Sequence, residues 1–224
     1  MAAIALPVRY LRRFAAIAAL IGLALTFSSR ALAMSDAVAS GVHELQSRWA
    51  QIQYKAAEDR RVEGFDQLHQ RAQALIAAHP DSAELYIWAG IIRSSEAGAK
   101  GGLGALSLVK EAKDDLEKAL SLDSGALDGS AYTSLGALYY QVPGWPIGFG
   151  DDDKARELLK KSLALNPDGI DPLYFWGDFL HDQGNDAEAR RALQKALKAA
   201  PRPGREVADQ GRREQIHELL DELD

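Results

Sequence analysis

Residues 171–201 read DPLYFWGDFLHDQGNDAEARRALQKALKAAP, and the spacing within this stretch decides the fold. Leu173, Trp176, Gly177 and Leu180 recur at helical intervals, and so do Ala189, Leu193 and Ala196. Gly184-Asn185 interrupts the chain between the two sets, and Pro201 ends the second. The stretch therefore reads as two short helices folded back on one another. Helices cross closely only where small side chains let the backbones approach. Gly177, Ala189 and Ala196 supply that approach, and the large residues between them fill the groove.

The pattern recurs upstream. Tyr132, Leu135, Gly136 and Tyr139 repeat the first-helix anchors; Ala155, Leu159, Ser162 and Pro167 repeat the second, with seven extra residues between the halves. Tyr86, Ala89 and Gly90 open another copy, which Ala112, Leu116 and Ala119 continue after ten extra residues, with Ser124 in the proline position. A degenerate copy is expected from about Trp49 to Pro80. These anchors, phased by Gly90, Gly136 and Gly177 and by end points at Pro80, Ser124, Pro167 and Pro201, are those of tetratricopeptide (TPR) repeats. Such modules bind proteins or ligands and rarely perform chemistry.

Helical periodicity extends over the rest of the chain, and alternating apolar–polar runs are absent. It predicts helices at about 38–58 and 64–78, hairpins at 82–96 with 105–121, 126–141 with 152–165 and 170–182 with 186–199, and a last helix at 205–222. Val207, Ile216, Leu219 and Leu220 would let that helix cap the array, whose end would otherwise expose an apolar face. Asp81-Ser82, the Asp151–Asp153 triplet and Asp171-Pro172 read as helix starts.

The N-terminus reads as an export signal. Arg9, Arg12 and Arg13 precede an apolar run, Ala15 to Phe27, and Ala31-Leu32-Ala33 is a small-residue cleavage site. A membrane-spanning helix needs ~20 apolar residues, more than this run holds. The expected organisation is a cleaved signal peptide at 1–33 and one domain at 34–224. The chain is acidic, with a net charge of −6, and the leader itself carries four arginines and no acid. That balance argues against a nucleic-acid or anionic-membrane surface. Without cysteine the chain has no disulfide, no thiol chemistry and no lipid anchor on cysteine. The expected location is the bacterial periplasm, with no stable membrane anchor after cleavage.

The two insertions are candidate functional segments. Gly98 to Gly104 is glycine-rich but lacks the glycine-lysine-serine/threonine order of a nucleotide loop; it reads as a link within an elongated hairpin. Val142-Pro143-Gly144-Trp145-Pro146-Ile147-Gly148-Phe149-Gly150 is apolar almost throughout, and its prolines and glycines exclude helix. It is either a lid folded onto the hairpin groove or a loop that meets a ligand or partner. The expected arrangement has Phe149 mainly buried and Trp145 partly exposed, beside a groove formed with Tyr140 and Tyr174. Tyr140, Tyr174 and Phe175 lie off the repeat anchors and are expected on the concave face, where solenoids bind. The binding set is therefore Tyr140, Trp145, Ile147, Phe149, Tyr174 and Phe175. The five histidines show no ligand-pair spacing, and no nucleophile turn or catalytic carboxylate pair stands out. No metal, cofactor or catalytic residue is assigned.

The run from Gly136 through Pro143-Gly144-Trp145-Pro146, Gly148-Phe149-Gly150-Asp151 and Ala155, together with Gly90, Gly101-Gly102 and the final repeat, resembles the T-component family of TRAP-transporter-associated periplasmic proteins. The resemblance covers about 82–201. It implies a TPR-like helical protein that contacts the periplasmic substrate-binding subunit of a tripartite ATP-independent transporter and handles a hydrophobic small molecule. Members of that family are often lipoproteins, and this chain departs from them in lacking cysteine. The expectation is an all-α, TPR-like hairpin solenoid with an apolar loop insertion and a C-terminal capping helix. Its function is that of a non-enzymatic binding or scaffold protein. The alternative role is a general adaptor for protein–protein interactions in envelope assembly.

Overall fold

The computed structural model describes residues 35–223, of which 36–223 lie in one compact unit. The export-signal expectation falls outside the described residues. Nine α-helices and no strand occur among them: α1 Asp36–Lys55, α2 Glu58–Ala78, α3 Ala83–Lys100, α4 Ala105–Leu122, α5 Ala126–Gln141, α6 Asp152–Leu165, α7 Ile170–Asp182, α8 Asp186–Ala196 and α9 Glu206–Glu222. None of these helices is long and apolar enough to cross a membrane.

The all-α repeat solenoid is the fold that the spacing predicts, and three glycines hold it in register. Gly90 on α3, Gly136 on α5 and Gly177 on α7 face Leu116, Leu159 and Leu193 on the second helices of their hairpins. A Cβ on each glycine would lie 2.6, 2.9 and 2.8 Å from the partner leucine's Cγ. Each hairpin is thus closed by the same glycine–leucine pair. The first two pairs are further apart in sequence than the third by the ten and seven inserted residues.

Several boundaries differ from the sequence reading for local reasons. Helix α2 starts at Glu58 rather than near Gly64. Gly64 does not break the helix; it is a packing position, with a Cβ there falling 3.3 Å from the Ile52 side chain of α1. Helix α3 runs on through Gly98 to Lys100, absorbing half of the first insertion, and Gly101 at φ +62° ends it. Ser82 and Asp151 cap α3 and α6, accepting hydrogen bonds from the Leu85 and Lys154 amides. Asp171 does not cap α7. The N-cap there is Gly169, and Asp171 lies in the first turn with its carboxylate turned to α9.

The core is layered. One cluster joins α1, α2 and α3 around Leu45, Phe65, Leu68 and Trp88, and a second runs through α3 to α6 around Ile87, Leu116 and Leu135. A third joins α7, α8 and α9. Burial of each such side chain contributes roughly 1.5–3 kcal/mol. Helix α9 caps the last hairpin as expected, with Ile216 and Leu219 against Ile170, Leu173 and Leu193. It also does something the sequence reading did not anticipate. Ala208 and Val207 join the core of α1–α3, and the Tyr54 hydroxyl on α1 donates to Gln215 Oε1 at 3.1 Å. The array curls until its last helix meets its first.

Candidate functional site

Because α9 returns to α1, the concave face becomes a cavity of about 580 Å³. Trp49 and Tyr54 from α1, Trp88 and Ile91 from α3, and Tyr174 and Phe175 from α7 line its apolar side. Ser94, Ser95, Thr133 and Ser134 add hydroxyls. The aromatic wall is self-packed: Trp49 stands edge-on to Tyr54 at 5.7 Å and to Trp88 at 5.9 Å. Leu127 and Asp128, which also line the cavity, have left-handed backbone at φ 48° and 54°. Left-handed backbone in a non-glycine residue costs about 1 kcal/mol or more and persists only where the surroundings enforce it.

The charged lining is four arginines, Arg61, Arg202, Arg205 and Arg212, against two aspartates, Asp128 and Asp171. This positive interior contrasts with the acidic chain as a whole. Three of the arginines are committed. Arg61 Nε donates to the Ala56 carbonyl. Arg202 pairs with Asp171 at 2.6 Å and with Asp209 at 2.6 Å. Arg212 Nε donates to Asp171 at 2.8 Å and its Nη1 to Gln215 Oε1 at 2.8 Å, while its guanidinium lies over the Tyr174 and Phe175 rings at 4.2 and 4.8 Å. Burial alone would push the Asp171 carboxyl up, but Arg212 and Arg202 hold it well below the usual carboxylate range. Burial likewise opposes the charge on Arg212, and Tyr54, Asp171 and Tyr174 outweigh it.

Arg205 is different. Its guanidinium lies over the Trp88 ring at 5.2 Å, its Nε is buried without a hydrogen-bond partner, and no carboxylate among the described residues pairs with it. Burial, reinforced by repulsion from Arg202, lowers its pKa, and Asp171 and Asp209 offset this only in part. Trp88 is 3% exposed, and its indole Nε1 also lacks a partner. A buried donor left unpaired costs ~1–3 kcal/mol.

The six sequence-predicted binding residues separate into three places. Tyr174 and Phe175 line the cavity, their rings 5.1 Å apart. Tyr140 does not line it. Its hydroxyl donates to Asp178 Oδ2 at 2.5 Å and its ring packs edge-on to Phe179 at 5.5 Å, so it ties α5 to α7. Burial first, and then Asp178, push its pKa well up. Trp145, Ile147 and Phe149 lie on the α5–α6 loop, outside the residues that line the cavity. The single groove expected of Trp145 with Tyr140 and Tyr174 is therefore not formed, because Trp145 projects from the loop away from the cavity that Tyr174 lines and Tyr140 is spent on Asp178.

The loop is folded on itself. Gly150 N–H donates to the Pro143 carbonyl at 3.0 Å, Gly148 N–H to the Gly144 carbonyl at 3.1 Å, and Asp151 N–H to the Tyr139 carbonyl at 2.8 Å. A Cβ on Gly150 would stand 1.9 Å from the Val142 carbonyl oxygen, so only glycine permits this path. The Trp145–Pro146 peptide is cis. Val142 is buried, and half-buried Phe149 stacks edge-on to Tyr139 at 5.4 Å with Lys113 Nζ over its ring at 5.9 Å. Trp145 projects outward at 91% exposure, well beyond the partial exposure expected of it, and Ile147 is 59% exposed.

Sequence reasoning missed Trp49, Tyr54, Trp88, Asp171 and the arginines Arg61, Arg202, Arg205 and Arg212 as site residues. A signal existed in Arg202, Arg205 and Arg212, cations gathered around the start of a helix that must also cap the array.

Residues 147–209, spanning part of the apolar loop, α6, the final hairpin and the start of α9, match the Tetratricopeptide repeat family. This agrees with the glycine–leucine hairpins: residues 147–209 carry the repeat signature, and the fold of the described residues is an all-α, TPR-like solenoid of helical hairpins. Among solved structures the chain is similar to two titled "Crystal structure of MamA" and "Crystal structure of MamA protein". The first is 20% identical over 76% of this chain and 94% of that one, with a TM-score of 0.43. The second is 19% identical over 80% and 90%, with a TM-score of 0.42. No curated protein matches the chain.

Proposed function

We propose that the chain is a non-enzymatic scaffold that docks a protein partner through the loop at 143–150. The observation that carries this reading is the exposure of Trp145 on a loop whose backbone is tied down and whose inner side is anchored by Val142 and Phe149. An exposed tryptophan on a stiff support loses little entropy on contact, which is how aromatic hot spots concentrate binding energy. Leu103, also exposed, lies in the corresponding turn of the preceding hairpin and so at the same end of the array. The Tetratricopeptide repeat match supports protein binding in general.

The partner we propose is the periplasmic solute-binding subunit of a TRAP-type uptake system, reached by a chain exported through its N-terminal segment. Support comes from the likeness of the Gly136–Ala155 stretch to the T-component family, whose insertion motif coincides with this loop. The competing role is a general adaptor in envelope assembly. Cross-linking in the envelope of intact cells, comparing wild type with Trp145→Ala, tests both. Recovery of the solute-binding subunit with wild type and its loss with the variant supports the uptake role. Equal recovery of one set of partners by both proteins rules out the loop as the docking element.

A further inference from the structure

The concave cavity offers more than an apolar surface, and it is separate from the loop. We infer that it is a binding site for a small monocarboxylate with an apolar body, whose carboxylate pairs with Arg205.

Size comes first. A volume of about 580 Å³ lies within the range of small-molecule sites, about 300–1,000 Å³. Such sites combine an aromatic lining with a few converging polar groups, which is the composition of this one. The seam between α9 and α1 closes one side, which suits a compact ligand better than an extended peptide running through.

Charge is the second argument. Arg202 and Arg212 share Asp171, and Arg202 also holds Asp209, so these four groups balance. Arg61, in the first turn of α2 and bonded to a carbonyl, is offset in the charge of the lining by Asp128. One cation, Arg205, stays uncompensated in the cavity wall, and burial penalises it. A buried cation without a counter-charge is stabilised by whatever single anion enters, and a guanidinium matches a carboxylate in shape. One excess charge favours a monoanion over a phosphate dianion.

Direction is the third. Arg205 is stacked on Trp88, and both the Arg205 Nε and the Trp88 Nε1 lack acceptors. The two unpaired donors thus belong to one stacked pair in the lining of the aromatic chamber. A carboxylate supplies two acceptor oxygens, and a small shift of the stacked pair would turn both donors to it. The ligand's apolar body would then lie along Trp49, Tyr54, Tyr174 and Phe175.

The test uses the full soluble chain with octanoate, 3-phenylpropionate and the uncharged octanamide as probes. Intrinsic tryptophan fluorescence, to which Trp49 and Trp88 in the cavity contribute beside Trp145 and Trp176 outside it, and thermal melting are the readouts. Saturable binding of at least one acid, with octanamide about tenfold weaker or worse, is expected. Arg205→Gln should weaken acid binding about tenfold while leaving the ligand-free melting temperature unchanged or raised, since it removes a buried unpaired charge. Should that variant fold poorly, Trp88→Phe keeps the ring and deletes one donor; it should weaken the acids and leave octanamide unaffected. Equal affinity for octanoate and octanamide overturns the inference, as does undiminished acid binding by both variants. So does failure of both acids to bind at millimolar concentration. The docking role of the loop survives any of these results, because Trp145 does not touch the cavity, and a failure of Trp145→Ala to affect capture leaves the cavity result standing.

Discussion

Gly211 of α9 lies against Tyr54 of α1 so closely that a Cβ at that position would stand 2.3 Å from the ring's Cδ1. The contact joins the two ends of the array. Replacing a helix-interior glycine with alanine ordinarily stabilises by roughly 0.5–1 kcal/mol. Here the sign should reverse. Gly211→Ala is expected to destabilise by ~1–3 kcal/mol, the cost of overpacking. Gly98→Ala, on a helix with open space around it, should show the ordinary gain. Denaturant unfolding of the two variants decides it, and a gain at Gly211 would mean that the ends do not meet.

Gly177 should accept no large residue. With Leu193 Cγ only 2.8 Å from a Cβ there, Gly177→Leu would force α7 and α8 apart. The expected loss is ~3 kcal/mol, at the upper end of overpacking costs. An unchanged melting temperature would contradict the shared glycine–leucine closure of the three hairpins.

Trp145 and Phe149 should behave in opposite ways. Trp145→Ala removes a side chain that is almost wholly in water, and such surface changes stay within ~0.5 kcal/mol. Phe149→Ala breaks the edge-on contact with Tyr139 and empties the space beneath the loop, at a cost of ~2 kcal/mol for a half-buried ring. Chemical unfolding of the two variants measures the difference. A large loss for Trp145→Ala would show that the loop is a lid.

Acid should weaken the junction of α7 and α9. The Asp171 carboxyl is held below its ordinary range in the folded protein, so its contribution to stability is fully present above the unfolded value of about 3.9. That contribution is lost as the pH falls below this value toward the folded one. Asp171→Asn should lower stability at neutral pH by about 2 kcal/mol, because Arg202 and Arg212 lose their shared counter-charge. It should also flatten the dependence on pH in the acid range. Unfolding titrations between neutral and strongly acid pH check both effects. A variant as acid-sensitive as wild type would remove Asp171 from this role.

Thr133 and Ser162 form a buried hydroxyl pair at 2.5 Å between α5 and α6. Ser162→Ala strands the Thr133 hydroxyl and should cost ~1–2 kcal/mol, whereas adding Thr133→Val should return much of that loss, because neither hydroxyl is then left unpaired. A double-mutant cycle by thermal unfolding reads the coupling. Strictly additive losses would show that the two hydroxyls act independently.

The repeat hairpins were legible in the residues because their determinants are local. A glycine, a leucine one helix away and a helix-ending proline or serine recur in phase, and every contact they specify lies within one hairpin. Chain length between them adds loop without changing the pairing, so the insertions did not hide it. Loop 142–150 was legible as a non-helical apolar segment for the same reason: proline and glycine act on their own backbone. What it exposes was not. Phe149 faces inward and Trp145 outward because of hydrogen bonds from Gly148, Gly150 and Asp151 that no composition predicts.

Only the tertiary structure decided that the array closes. The pairs Tyr54–Gln215, Tyr54–Gly211 and Asp171–Arg212 are far apart in sequence and carry no periodic signal. Their meeting depends on small rotations accumulated between successive helices, which no single repeat encodes. That accumulated curvature turns an open concave face into an aromatic cavity. It pairs Arg202 and Arg212 with Asp171 and leaves Arg205 without a partner. The residues alone determined a helical solenoid with an apolar loop; the closure of that solenoid decided where a charged ligand could be held.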